Sequence, residues 1–193
     1  MITHIAGKLV EKNPTDVVID CNGVGYLLNI SLHTYSKIPD QEFLKLYTYL
    51  LVREDSHTLY GFASIAEREI FKLLISVSGI GASTARVMLS SLSPEQIKEG
   101  IAHGDVGMLQ SIKGIGAKTA ARVILDLKDK VLKVYDIDEV SVKPNNTTKE
   151  EALSALEVLG FAKKQAERVI GKIVTQQPEA SVETIIKEAL KNL

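Results

Sequence analysis

Two copies of one short motif constrain the fold of this chain more than any other feature. The first copy reads SGIGASTA, from Ser78 to Ala85, and the second reads KGIGAKTA, from Lys113 to Ala120. Each copy lies between two segments in which apolar residues recur at helical spacing. Glycine adopts backbone angles that other residues avoid, so a glycine pair between helices indicates a tight turn. The sequence therefore predicts two helix–turn–helix units, each with its central isoleucine packed into the core.

The start of the second helix in each unit is suited to hold an anion. The first N–H groups of a helix have no partner within the helix, and the helix dipole is positive at that end. One phosphate can bind there, and Lys118 adds a charge in the second copy where the first has Ser83. Arg122 shares a helix face with Lys118, and Arg86 is the candidate to compensate for the missing lysine. The candidate phosphate-binding residues are Gly79, Gly81, Ser83, Thr84, Arg86, Gly114, Gly116, Lys118, Thr119 and Arg122.

Spacing excludes two nucleotide-binding motifs and leaves one structural alternative open. A P-loop requires Gly-x-x-x-x-Gly-Lys-Ser/Thr after a strand, whereas here a helix precedes and Lys118 follows Ala117. The dinucleotide fingerprint requires a third glycine three residues after Gly81 or Gly116, and neither position has one. The copies could also be plain helical turns that bind nothing, because glycine is common at helix ends. Agreement between two copies at matching positions makes that alternative the less favoured one.

Charge is distributed unevenly along a chain whose net charge is -1. Residues 64–134, which contain both motif copies, carry ten basic and seven acidic side chains. Residues 1–63 and 135–148 are net acidic, and residues 149–193 are neutral. Because the basic excess is small, nucleic-acid binding would depend on backbone groups or on several subunits acting together.

Composition excludes several classes of protein. A content of 45% hydrophobic and 24% charged residues is typical of a soluble globular chain. No apolar run approaches the roughly 20 residues of a membrane-spanning helix, and the N-terminus lacks the pattern of a signal peptide. One cysteine, Cys21, favours a reducing cytoplasm. His4, His33, His57 and His103 are not spaced as metal ligands. We therefore expect no metal site, no cofactor and no catalytic residue.

Residues 1–63 have the features of β-structure. Short runs of β-branched, aromatic and aliphatic residues are separated by turn signals. Asn22-Gly23 indicates one hairpin, and Glu54-Asp55-Ser56 indicates a second. About five short strands favour a small barrel of the oligonucleotide-binding (OB) type.

The rest of the chain is predicted to be helical. Residues 64–134 contain five amphipathic segments, with a capping box at Ser93 and a helix cap at Asp105. Residues 135–148 have no helical period and are predicted to form a flexible linker. Residues 149–193 predict a bundle of three short helices. The fold class is therefore an α+β multidomain protein: an OB-like barrel, a helical domain with the paired motifs, a linker and a three-helix bundle.

At this point the sequence resembles a known family. The paired motifs are similar to tandem helix-hairpin-helix motifs, and the whole chain resembles the RuvA family of Holliday-junction-binding proteins. The resemblance rests on both motifs, on Gly23-Val24-Gly25-Tyr26, on Val52-Arg53-Glu54-Asp55 followed by Leu59-Tyr60-Gly61-Phe62, and on the C-terminal helices. It implies a non-catalytic subunit of a branch-migration complex in recombination and DNA repair, including the SOS response, that binds four-way junction DNA without reading sequence.

The resemblance also implies partners and residue roles. Glu54 and Asp55 would form an acidic pin that keeps strands apart at the crossover. The C-terminal bundle would bind a RuvB-type hexameric ATPase. A RuvC-type junction resolvase is a further partner that the resemblance suggests without settling. The chain would form a homotetramer, with an octamer left open, and four copies would bring together about 12 excess positive charges on the helical segments. The residues expected to be partly exposed and to bind the motor are Leu156, Leu159, Phe161 and Leu190.

Two other functions stay open from the sequence. Some DNA-repair glycosylases carry a helix-hairpin-helix followed by a catalytic aspartate, and Asp136 and Asp138 lie downstream of the second copy. These aspartates fall in the predicted linker rather than in a packed helical site. The other alternative is a protein-interaction scaffold whose turns bind no DNA.

Overall fold

The computed structural model describes residues 1–39, 42–131, 148–177 and 179–193. The chain divides into two units, Met1–Asp138 and Glu139–Leu193, and each is described by itself. The predicted linker, 135–148, lies outside the described residues except for Thr148.

Five strands of the first unit close into a barrel, which confirms the predicted OB-like architecture. The strands are β1 (His4–Lys12), β2 (Asp16–Cys21), β3 (Val24–Ile30), β4 (Phe43–Val52) and β5 (His57–Phe62). They pair in the order β1-β2-β3-β5-β4; β3 and β5 are parallel, and the other pairs are antiparallel. Asn22 and Gly23 have φ angles of 54° and 90°, which suit the two-residue hairpin turn predicted there.

The barrel interior is filled by alternate residues of its strands. Val17 and Ile19 of β2 are fully buried, as are Leu28 and Ile30 of β3, because successive side chains of a strand point to opposite faces. Leu46 of β4 joins the same core. The strands are therefore held by a continuous apolar interior.

Between the barrel and residue 131, where this described range ends, the chain forms five helices, as the sequence predicts for residues 64–134. The capping box of Ser93 with Gln96 is confirmed, since each side chain bonds the other's backbone N–H. Asp105 accepts from the Met108 amide and caps the next helix. The helices are α2 (Ile65–Ile75), α3 (Ala82–Ser91), α4 (Pro94–His103), α5 (Val106–Gln110) and α6 (Ala117–Val131).

One aromatic cluster joins the helices to the barrel. Phe71 of α2 is fully buried, and its ring centroid lies 5.6 Å from that of Tyr49 and 5.0 Å from those of Tyr60 and Phe62. Tyr60 and Phe62 belong to the same buried cluster as the core of α2 to α6. Because strands and helices share this core, the helical segment is fixed against the barrel.

A short helix that was not predicted from the sequence, α1 (Leu32–Lys37), adds a buried polar cluster. Glu67 of α2 is fully buried, and its carboxylate accepts hydrogen bonds from Ser31 Oγ at 2.6 Å, Thr34 Oγ1 at 2.7 Å and the Ala63 amide at 3.1 Å. Three donors satisfy the buried carboxylate, as burial of a charge requires. The cluster ties α1 to the start of α2.

The described part of the second unit contains three helices, α7 (Thr148–Val158), α8 (Lys163–Gln176) and α9 (Val182–Asn192), as predicted. Gly160, with φ of 97°, follows α7, and Ser181 caps α9 by accepting from the Thr184 amide. Residues from all three helices form one core, which includes Ala152, Ile170 and Ile185. Within the described ranges, no helix combines the length and apolar character needed to cross a membrane.

The expected exposure of Leu156 is wrong. Leu156 is fully buried in the core of the second unit, because it lies one helical turn after Ala152 on the face that packs against α8 and α9. Phe161 is partly buried against this core. Leu159 and Leu190 are 58% and 46% exposed, as expected.

Candidate nucleic-acid interface

The first glycine turn joins α2 to α3 and leaves the start of α3 open. Gly79 has φ of 97°, in the left-handed region that favours glycine, and the Ile80 amide donates to the Val77 carbonyl at 3.0 Å. Ile80 is buried, as predicted. Gly81 is the N-cap of α3 and provides no side-chain hydrogen bond, so the first amides of the helix lack a capping side chain. These amides and the helix dipole make the turn suitable for a phosphate.

The second turn, between α5 and α6, repeats this geometry. Gly114 has φ of 92°, and the Ile115 amide donates to the Ile112 carbonyl at 3.1 Å. Ile115 is buried like its counterpart. The Ala120 amide donates to the Gly116 carbonyl at 2.9 Å, as the Ala85 amide does to Gly81 in the first turn. The sequence repeat is therefore a repeat of backbone structure, down to individual hydrogen bonds.

The side chains around the two turns differ in charge. Ser83 of the first turn and Lys118 of the second are both exposed at the second position of their helices. Thr84 and Thr119, which follow them, are half-buried. Lys113 was not among the predicted site residues, although it stands exposed in the motif where the first copy has Ser78. The second turn therefore has two lysines at positions where the first has two serines.

The two arginines predicted as phosphate ligands contact other parts of the protein. Arg122 is exposed on α6, and its Nη1 donates to the carbonyl oxygen of Ser78 at 3.3 Å, so it lies beside the first turn as well. Arg86 is directed to the barrel: its Nη1 donates to Asn29 Oδ1 at 2.8 Å and to the Thr15 carbonyl at 3.2 Å. Compensation for Ser83 by Arg86 is not supported by this geometry, because the guanidinium is held by barrel acceptors rather than by the start of α3.

The acidic residues lie at the tip of the hairpin between β4 and β5. Glu54 and Asp55 are both exposed, and the turn is closed by a hydrogen bond of 2.8 Å from the Arg53 amide to the Ser56 carbonyl. Ser56 Oγ also donates to Asp55 Oδ1 at 3.2 Å. The hairpin is the one predicted, and it presents both carboxylates to solvent.

The second unit has an apolar surface that extends beyond the predicted residues. Val158, at the end of α7, is 85% exposed and was not predicted, because it lies outside the apolar stripe of the helix and before the loop that follows. Val158 and Leu159 line an open groove of about 540 Å³ together with Ile186 of α9. An exposed apolar groove on so small a bundle is typical of a protein-binding surface.

A closed five-stranded barrel, whose last strand packs through Tyr60 and Phe62 into the core of two glycine-turn helical units, defines an OB-barrel protein with a tandem helix-hairpin-helix. Family models agree: one described as the RuvA N terminal domain matches residues 1–61, one described as a SAM-like helix-hairpin-helix tandem matches 71–129, and one described as the RuvA C-terminal domain matches 148–193. The chain belongs to the RuvA family.

Similar proteins match over their full length. A protein of Flavobacterium psychrophilum is 68% identical over 193 residues, and one of Christiangramia forsetii is 66% identical, with all of both chains covered in each case. A protein of Bacteroides fragilis is 48% identical over 202 residues, again with full coverage. Each of these relatives is named "Holliday junction branch migration complex subunit RuvA".

Proposed function

We propose that the chain is the non-catalytic, junction-binding subunit of a branch-migration complex. The observation that carries this proposal is the matched pair of glycine turns, with the same backbone hydrogen bonds at Gly79–Gly81 and Gly114–Gly116, on a helical segment fixed against the barrel. Full-length similarity to proteins named as subunits of the Holliday junction branch migration complex supports the same function. The repair-enzyme alternative is not favoured; Asp136 and Asp138, on which it rested, lie outside the described residues.

Each glycine turn would bind the DNA backbone through the amides at its helix start. Such contacts carry no base information, so binding is independent of sequence. In the second turn, Lys113 and Lys118 add charge–phosphate attraction, and in the first turn Ser83 donates a neutral hydrogen bond. The two turns would therefore be two phosphate-binding sites, of which the second attracts phosphate more strongly.

Glu54 and Asp55 would act where DNA strands exchange. Exposed carboxylates repel phosphates, so a ring of such hairpins would keep strands from re-pairing at the crossover. This role requires several copies around one junction. We propose a homotetramer, with a face-to-face octamer as a further form, and the exposed Leu27 on β3 and Leu125 on α6 support burial of apolar surface between copies.

The second unit would recruit the motor. We propose that Val158, Leu159, Phe161 and Leu190 contact a RuvB-type hexameric ATPase, which would supply ATP hydrolysis, since the exposed groove between α7 and α9 offers an apolar docking surface. A RuvC-type resolvase would share the junction.

Each part of the chain would have its own role in this assembly, which we place in the cytoplasm. Residues 1–63 would form the barrel with the acidic hairpin, and residues 64–134 would bind DNA. Residues 135–148 would be the linker to the motor-binding domain, residues 149–193.

A gel-shift comparison tests the central proposal. The chain should bind a synthetic four-way junction much more tightly than a linear duplex of equal length, and the affinity should fall steeply as salt rises. Equal affinity for the two DNAs would contradict junction recognition. Release of a free base, or of nicked strands, by the purified protein would favour the repair enzyme instead.

A further inference from the structure

Arg86 lies at the contact between the first helix-hairpin-helix unit and the barrel. It is half-buried on α3, the helix that begins at Gly81, and it makes two hydrogen bonds to the barrel. The acceptor in β3, Asn29, carries a neutral amide, and the acceptor in the β1–β2 turn, Thr15, offers a backbone carbonyl. Hydrogen bonds from a charged donor are stronger than neutral ones, and the planar guanidinium holds two acceptors in a defined geometry.

The same face of α3 makes a further contact, with the start of α1. Ser90 lies four residues after Arg86, so the two side chains share one helix face. Its Oγ accepts from the Leu32 amide at 3.1 Å, at the start of α1, and donates to the Arg86 carbonyl at 2.8 Å. Two consecutive turns of α3 are thus bonded to the first unit outside the helical segment, through Arg86 to the barrel and through Ser90 to the start of α1.

These contacts lead towards the acidic hairpin. Asn29, which accepts from Arg86, donates from its own Nδ2 to the Leu59 carbonyl of β5 at 3.5 Å. β5 is the strand that leaves the hairpin tip at Glu54 and Asp55. A short series of hydrogen bonds therefore runs from the helix of the first turn to the strand that carries the acidic tip.

The surroundings of Arg86 fit a fixed structural cation. Hydrogen bonds from Asn13 and Thr15 hold the pKa of Asp16 below its usual value, and the nearby Arg86 charge lowers it further. A guanidinium with barrel acceptors and a neighbouring carboxylate is poorly placed to be a free phosphate ligand.

We infer that Arg86 is a positioning residue, which sets the first phosphate-binding turn at a fixed place relative to the acidic hairpin and so contributes to the preference for junctions over linear duplex. This inference rests on the proposed function. A duplex needs only the phosphate-binding turns, whereas a junction must meet turns and acidic tip at the same time. Removal of the hydrogen bonds between Arg86 and the barrel, here called the tether, therefore weakens junction binding more than duplex binding.

Three variants of the full-length chain test this role: Arg86→Gln, Arg86→Lys and Asn29→Ala. The probes are a synthetic four-way junction and a linear duplex of the same length, each titrated over a range of salt concentrations. Arg86→Gln should keep the duplex affinity and salt slope but lower the junction preference by about tenfold or more, since about tenfold corresponds to the loss of one charge-assisted hydrogen bond and Arg86 makes two. Arg86→Lys, which can reach one acceptor, should restore part of it.

Asn29→Ala removes an acceptor instead of the cation, so it tests the tether without changing the charge. It should lower the junction preference as Arg86→Gln does, and the effect of the double variant should be smaller than the sum of the two single effects, because both changes break the Arg86–Asn29 hydrogen bond. Each change also breaks one bond of its own, from Arg86 to the Thr15 carbonyl or from Asn29 to the Leu59 carbonyl. Lys128→Gln, which removes an exposed charge near the end of α6, is the matched charge control and should leave the preference unchanged.

The outcomes separate the inference from the proposed function. An unchanged junction preference in folded Arg86→Gln, with the wild-type chain selective, would overturn the positioning role alone. A parallel decrease in affinity for both DNAs with a shallower salt slope would show Arg86 to be a phosphate ligand and would also overturn it. A wild-type chain without junction preference would overturn the proposed function and this inference with it.

Discussion

The guanidinium of Arg122 donates a hydrogen bond to the backbone carbonyl oxygen of Ser78, 3.3 Å away. Arg122 belongs to α6, which begins at the second glycine turn, whereas Ser78 directly precedes Gly79 of the first. A cation from the second helix-hairpin-helix unit therefore lies beside the turn that has Ser83 where its counterpart has Lys118. The first turn has no lysine of its own, but this contact places the positive charge of Arg122 beside it.

Charge removal at the second turn should weaken junction binding. Lys118→Gln and Arg122→Gln should each reduce the salt slope of binding by about 0.9 for every phosphate that the side chain neutralises in the wild-type complex. Arg122→Gln should cost more affinity, because it also breaks the hydrogen bond to the Ser78 carbonyl. Lys128→Gln on the same helix is the control. The measurement is the dissociation constant for a four-way junction at several salt concentrations.

The converse change, Ser83→Lys, should make the first turn resemble the second and steepen the salt slope by a similar amount. A positive charge in the first turn of a helix costs about 0.3–1 kcal/mol of stability, so a slightly lower denaturation midpoint should accompany the gain in affinity. Unchanged affinity in Lys118→Gln, Arg122→Gln and Ser83→Lys would mean that neither turn contacts phosphate.

The two glycines of each turn should fail in different ways when replaced. Gly79 has φ of 97°, so Gly79→Ala should destabilise the fold by about 1–2 kcal/mol in a denaturant titration. Gly81 lies in extended backbone with open space around the added methyl group, so Gly81→Ala should leave stability almost unchanged. If phosphate approaches the amides here, Gly81→Ala should nevertheless weaken DNA binding. Full affinity in Gly81→Ala would argue against that approach.

Neutralisation of the acidic tip should alter the junction rather than release it. Because Glu54 and Asp55 are exposed and would repel phosphates, the double change Glu54→Gln with Asp55→Asn should preserve or strengthen junction binding. It should also change the separation of the arms or the rate of branch migration, measured by fluorescence energy transfer between labelled arms. Loss of binding would contradict the pin role.

Leu156 and Leu159 lie three residues apart and should give opposite results. Leu156→Ala removes a fully buried side chain and should cost about 2–5 kcal/mol of unfolding free energy in the second unit. Leu159→Ala removes an exposed one and should leave stability unchanged while it weakens stimulation of the motor ATPase. Normal stimulation by Leu159→Ala, Val158→Ala and Leu190→Ala together would place the motor contact elsewhere.

Glu67 should be sensitive even to an isosteric change. Its carboxylate accepts from Ser31, Thr34 and the Ala63 amide, so an amide group at this position would lose the charge that strengthens these hydrogen bonds and would offer one acceptor oxygen in place of two. Glu67→Gln should therefore destabilise the first unit by about 1–3 kcal/mol, measured by chemical denaturation. Glu69→Gln, at a neighbouring and partly exposed position, is the control and should have little effect. Equal stability of the two variants would mean that the buried carboxylate of Glu67 stabilises the fold no more than the partly exposed carboxylate of Glu69.

Local features account for the parts of the fold that could be predicted. The glycine turns, the capping box at Ser93, the cap at Asp105 and the Asn22-Gly23 hairpin are each encoded within a few residues, where backbone preference and hydrogen bonding act directly. The short helix α1 was missed, because its cap residue Ser31 and its buried Thr34 are stabilised by Glu67, more than 30 positions away.

By itself, the sequence determined the architecture: a barrel, paired glycine turns with buried isoleucines, and a three-helix bundle, because strand alternation, helical period and glycine conformations are local properties. Only the tertiary structure decided which way particular side chains face. It directed Arg86 to the barrel, placed Arg122 beside the opposite turn and buried Leu156. Each of these outcomes depends on contacts between residues far apart in the chain, and such contacts cannot be predicted from helical period or motif spacing.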